Sequence, residues 1–184
     1  MEEISGQKLD WFFAHEAAHL FQQDKSGKPI GDDQAPWIHE GGADAMAALT
    51  LAQRGSGELT YVVGRVNSAE AACAKGLANT ALDQATAAGN FDLHYQCGLL
   101  IWLALDGELR GRKNDGLHAV NKAMFSHVKA GAPWNEQTFM AVAQKLGVSR
   151  ALLDSIEKLS HGGYADAKLE IAALRRSASL DAKL

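Results

Sequence analysis

The chain has 184 residues, of which 47% are hydrophobic and 22% charged, and it carries a net charge of −4. That is enough for one domain with a sizeable core, of ordinary globular rather than disordered composition. The acidic balance argues against a nucleic-acid binder, which usually presents a basic face. No apolar run reaches the roughly 18 residues of a membrane span.

Alanine and leucine recur at helical spacing nearly throughout, interrupted by only three prolines. The polar, acidic start MEEISGQKLD is not a signal peptide. A first helix is expected from Gly6 to Gln23, ending before the Gly/Asp/Lys-rich loop DKSGKPIGDDQ. A second starts near Pro36, which is tolerated in a first helical turn, and runs to Arg54. The stretch ELTYVVGRV (58–66), the best strand candidate, is short, lies between Gly57 and Asn67, and reads as an extended link or helix end. A third helix is expected from Ser68 to Ala87 and a fourth, containing CGLLIWLAL, from Leu93 to Leu109. A fifth covers Leu117 to Ala130, and WNEQTFMAVAQKL makes a sixth after the break at GAP. Ser149 caps a seventh, RALLDSIEKLS, and a tail helix follows from Tyr164. The expected fold is therefore an all-α array, residues 1–184 forming a single domain without an obvious linker or repeat.

The chemistry is concentrated in DWFFAHEAAHLFQQ (10–23). His15 and His19 are four apart, so on a helix they share one face and can aim both rings at one ion. Glu16 lies about a quarter turn away. It is badly placed to share the ion but well placed to take a proton from a water beside it, the division of labour of an HExxH zinc motif. Zinc needs a third protein ligand, and APWIHEGGADAMAALTL (35–51) offers Glu40 at the start of the next helix, after a loop long enough to reverse the chain. Asp44, one turn further on the same face, is placed to accept the free ring N–H of His15. Gly41 and Gly42 would let the two helices approach closely. His39, adjacent to Glu40, points elsewhere on the helix and reads as a polar helix-start residue.

HEAAH followed by HEGGAD in an apolar helix resembles the gluzincin zinc metallopeptidases, in which the third ligand is a glutamate on the next helix and an acidic residue follows it by four. The resemblance implies His15, His19 and Glu40 as Zn2+ ligands, Glu16 as general base and Asp44 as the partner of a ligand histidine. Such an enzyme also needs a donor for the developing oxyanion, and the candidates are Tyr61, Tyr95, Tyr164, His94, His118, His127 and His161. HYQCGLLIWLALDGELRGR (94–112) is similar to the tyrosine helix of the aminopeptidase N and glycyl aminopeptidase families, which implies Tyr95 in that role, with His94 as the alternative. WNEQTFMAVAQKLGVSRALLDSIEKLSHGG (134–163) also resembles the last catalytic-domain helices of the glycyl aminopeptidase branch. Those families carry β structure upstream of HExxH, and only fourteen residues precede His15 here. The expected unit is thus the α-helical half of such a domain, without the upstream β subdomain.

Three further readings bear on function. The expected activity is zinc-dependent hydrolysis of a peptide or small amide; the alternative is a catalytically silent zinc-binding or scaffold domain of the same fold. VAQKLGVSRALLDSIEKL (142–159) has the outline of a helix-turn-helix, but its second helix sets Asp154 and Glu157 against Arg150 and Lys158, too acidic for a recognition helix. Cys73 and Cys97 either pair, which points to a periplasmic or secreted protein, or stand as two buried thiols.

Overall fold

A computed structural model describes residues 6–22, 35–112, 115–162 and 167–178. It is all-helical. Among the described residues there are eight α-helices and no strand: α1 (Gly6–Leu20), α2 (Pro36–Leu51), α3 (Ser56–Leu77), α4 (Asp92–Gly111), α5 (Leu117–Lys129), α6 (Glu136–Lys145), α7 (Arg150–His161) and α8 (Lys168–Ser177). A single 3₁₀ turn, Leu82–Gln84, lies between α3 and α4. No described helix is long and apolar enough to cross a membrane. The loop 24–34 and Tyr164 lie outside the described residues.

α2 and α4 form the central pair. Both are buried nearly all round, α2 through Trp37, Ile38, Ala45 and Ala48 and α4 through an almost unbroken run from Leu99 to Leu105. α1 packs on α2, α3 and α8 pack on α4, and α5 to α7 close the far side. The core is one contiguous cluster. Two of its backbones nearly touch: a Cβ added at Gly98 of α4 would sit 2.6 Å from the Trp37 carbonyl oxygen and 2.7 Å from the Gly41 Cα. Gly41 therefore serves the approach of α2 to α4, not to α1 as its position beside Glu40 led us to expect. Gly42 makes room for the side chains of Gln22 and Trp102.

ELTYVVGRV is a correction to the sequence reading, because it lies inside α3. Val62, Val66, Ala69, Cys73 and Leu77 recur every three or four residues and are all buried, so one continuous stripe packs on α4. That packing outweighs the weak helix propensity of Thr, Tyr and Val. The third helix consequently starts at Ser56 and ends at Leu77, ten residues short of the expected end. Ser149 caps α7 as expected, its Oγ accepting from the Leu152 N–H, and Asn135 caps α6 in the same way.

α1 is apolar on two sides. Trp11, His15 and Ala18 face α2, while Leu9, Phe12, Phe13 and Leu20 on the opposite side are exposed, at 45% to 68% of their full area. Cys73 and Cys97 stand at disulfide distance, with Cα atoms 5.1 Å apart, pinning α3 to α4.

Candidate metal centre and the groove beside it

The centre forms where α1 crosses the first turns of α2. His15 and His19 project from one side of α1, one turn apart, and their Nε2 atoms lie 2.9 Å from each other. Glu40 reaches in from α2, its Oε2 3.4 Å from each of these nitrogens. The three side chains together could hold a metal ion.

The remaining ring nitrogens are held in turn. His15 Nδ1 donates to Asp44 Oδ1 at 2.9 Å, and that same oxygen accepts from Trp11 Nε1 at 2.9 Å. His19 Nδ1 donates to Gln22 Oε1 at 2.9 Å, while Gln22 Nε2 donates to the His39 carbonyl at 3.0 Å. That last bond fixes which way the Gln22 amide points, since only its nitrogen can donate. With both Nδ1 atoms committed as donors, the Nε2 lone pairs of the neutral rings face the carboxylate oxygen of Glu40. Glu40 Oε2 is buried and accepts no hydrogen bond. Three electron-rich atoms converging without a donor among them fit a cation.

The carboxylates around the rings favour the charged imidazole. Burial lowers the His15 pKa, but Asp44 and Glu40 outweigh it and carry the value up to about 9, so an ion bound at Nε2 must displace a proton. Glu40 also raises His19. Glu40 is pushed up by burial, yet His15 and His19 hold it well below the usual carboxylate range. His39 is not among the three, but its ring stacks on His19 with centroids 4.3 Å apart, and burial lowers its pKa.

A groove of about 600 Å³ opens beside the centre, between α1, α3 and α4. His15, Glu16 and Tyr95 line it, as do Trp11, Tyr61 and Arg65. Glu16 is exposed and faces this groove. The Tyr95 ring lies 5.8 Å from that of His15, and burial followed by the Glu40 charge pushes its hydroxyl pKa up, so it stays protonated. His94, the alternative donor, is buried with its Nε2 against Thr86 Oγ1 at 2.8 Å. Tyr61 lies edge-on to Trp11. His118 is exposed, His127 Nδ1 bonds the Ala123 carbonyl, and His161 bridges Asp83 and Glu136 in a separate cluster.

Gln22, Trp11 and Arg65 are the residues that sequence reasoning missed. Trp11 was legible, being four residues before His15 on the same face. Gln22, three after His19, sits beyond the last helical residue, where periodicity no longer fixes direction. Nothing in the sequence pairs Arg65 with Trp11. The chain matches no protein-family model, no curated protein and no solved structure.

Proposed function

We propose that the protein is a zinc-dependent hydrolase of peptide or small amide bonds, of the gluzincin type that its motifs resemble. The observation that carries this reading is the triangle of His15 Nε2, His19 Nε2 and Glu40 Oε2, with sides of 2.9, 3.4 and 3.4 Å. Tetrahedral zinc, with bonds of about 2.0–2.1 Å, spaces its ligand atoms about 3.3 Å apart. Two neutral imidazoles and one carboxylate, each histidine braced through Nδ1, also form a donor set that zinc favours over magnesium or calcium.

Zinc, when bound, supplies the positive charge that acidifies water and polarises a carbonyl oxygen. Glu16, free in the groove beside His15, takes the proton from water as its oxygen adds to the carbonyl carbon. The same carboxyl then passes that proton to the amine nitrogen as the C–N bond breaks. Tyr95, kept protonated by burial and by the Glu40 charge, donates to the carbonyl oxygen as it gains negative charge. Asp44 holds the His15 ring in orientation and is itself held by Trp11.

The test separates metal binding from chemistry. One zinc per chain is expected by elemental analysis, lost in Glu40→Ala and in His15→Ala. Glu16→Gln should keep the zinc and lose hydrolysis of a mixed peptide library. A zinc-loaded protein that cleaves nothing, with or without Glu16, would instead establish the silent metal-binding domain.

A further inference from the structure

The groove beside the candidate metal centre is also lined by an arginine. Arg65 stands on α3 with its guanidinium carbon 4.9 Å from the centre of the Trp11 ring. Trp11 is 5% exposed and bonded through Nε1 to Asp44, so the surface on which the guanidinium lies is fixed. One face of the guanidinium is used by the indole. Its N–H edges make no ion pair among the described residues, and Arg65 itself is exposed to the groove.

Among the described residues, most arginines have acidic neighbours. Arg54 pairs with Asp10, Arg110 with Asp106, Arg112 with Glu108 and Arg150 with Asp154. Arg65 instead presents a planar fork of donors, held over the indole, with no acceptor among the described residues. Such a fork matches a carboxylate bidentately. The groove also carries Glu16, Asp44 and Asp92 against Lys8, so it has no general attraction for anions; the planar fork is particular to Arg65. Its volume of about 600 Å³ suits a small ligand of a few residues.

We propose that Arg65 is a specificity-determining residue that binds the C-terminal carboxylate of a di- or tripeptide, while an amide of the same peptide lies against His15, Glu16 and Tyr95 in the same groove. This rests on the hydrolase reading and sharpens it: the substrates are short peptides with a free C-terminus. The indole supplies a fixed flat surface, and the guanidinium on it supplies the charge that tells a peptide acid from a peptide amide.

The test is equilibrium binding to the zinc-loaded Glu16→Gln protein, by calorimetry, of tri-glycine and tri-alanine, each as free acid and as C-terminal amide. The acids are expected to bind roughly tenfold more tightly than the amides, as for one charged hydrogen-bonded contact. In the double variant with Arg65→Gln, acid and amide should bind equally, at the amide's original affinity and with unchanged zinc content. Arg65→Lys, which keeps the charge without the fork, should restore part of the preference. Equal binding of acid and amide before Arg65 is changed, a preference that survives Arg65→Gln, or binding of neither peptide would overturn the assignment. Failure of the hydrolase reading shows elsewhere, as absent cleavage by the unsubstituted zinc-loaded protein, and leaves this binding comparison readable.

Discussion

An alanine at Gly98 tests whether the α2–α4 contact sets the geometry of the metal centre. Its Cβ would meet the Trp37 carbonyl oxygen at 2.6 Å, the Gly41 Cα at 2.7 Å and the Gly41 nitrogen at 3.2 Å. Ordinary carbon contacts begin near 3.5 Å, so α2 must recede by about 1 Å. All three obstructing atoms are backbone, and no side-chain rotation relieves them. Overpacking of this kind costs about 1–3 kcal/mol, which for a chain of this length lowers Tm by roughly 4–8 °C at the middle of that range. The second effect falls on Glu40, which precedes Gly41. Metal–ligand distances tolerate only about 0.2 Å, so a shift of about 1 Å in α2 should weaken zinc binding at least tenfold, although Gly98 touches no ligand. Thermal denaturation in chelator and a competition titration with a chromophoric chelator read the two effects separately. Gly64→Ala is the control: nothing lies within 4 Å of its added Cβ, and replacing a mid-helix glycine should stabilise by about 0.5–1 kcal/mol. A Gly98→Ala protein with unchanged Tm and zinc affinity would refute the close approach of the two helices.

Three further outcomes are expected. Gln22→Ala leaves the His19 Nδ1 without its acceptor and should lower zinc affinity about 10- to 100-fold, measured by the same titration; unchanged affinity would show that His19 is oriented by other contacts. Replacing Cys73 and Cys97 by serine removes a cross-link of sequence separation 24, a loss of about 3 kcal/mol visible in Tm, while no change with or without reductant would mean that the pair is not joined. His161, raised chiefly by its hydrogen bond to Asp83 and also facing Glu136, contributes stability below the free imidazole value of about 6.5 that disappears as pH rises through its higher folded value. Its ring is 55% exposed, so the contribution is well under about 1 kcal/mol; Asp83→Asn should flatten the Tm profile over that window, and an unaltered profile would remove His161 as its source.

The local part of the site was legible in the sequence because helical periodicity is local. The spacing of His15 and His19, and of Glu40 and Asp44, fixes which side chains share a face before any tertiary structure is known. What periodicity cannot specify is the partner of each face. Gly41 was matched to α1 because the metal ligands lie there, whereas its close neighbour is Gly98, 57 residues away in sequence. The Thr-Tyr-Val-Val stretch, short and set between Gly57 and Asn67, reads as an extended link because the buried stripe it begins, from Val62 to Leu77, is defined only by the packing on α4. Gln22 escaped notice because its contact begins where the helix stops. The all-helical class needed none of these details, since the alanine- and leucine-rich periodicity runs through most of the chain.

One indole links the candidate metal centre to Arg65. Trp11 gives its N–H to the carboxylate that steadies His15 and lends its ring face to Arg65. Filling the metal centre alters the polarisation along the first contact, and occupying the guanidinium alters the charge over the second. The protein thereby carries an intrinsic optical reporter. Trp37, Trp102 and Trp134 are buried elsewhere in the core, so a phenylalanine at position 11 isolates its emission. An ion taken up at the candidate centre, or a ligand taken up at Arg65, would then show as a spectral change of this one residue, without labelling the molecule.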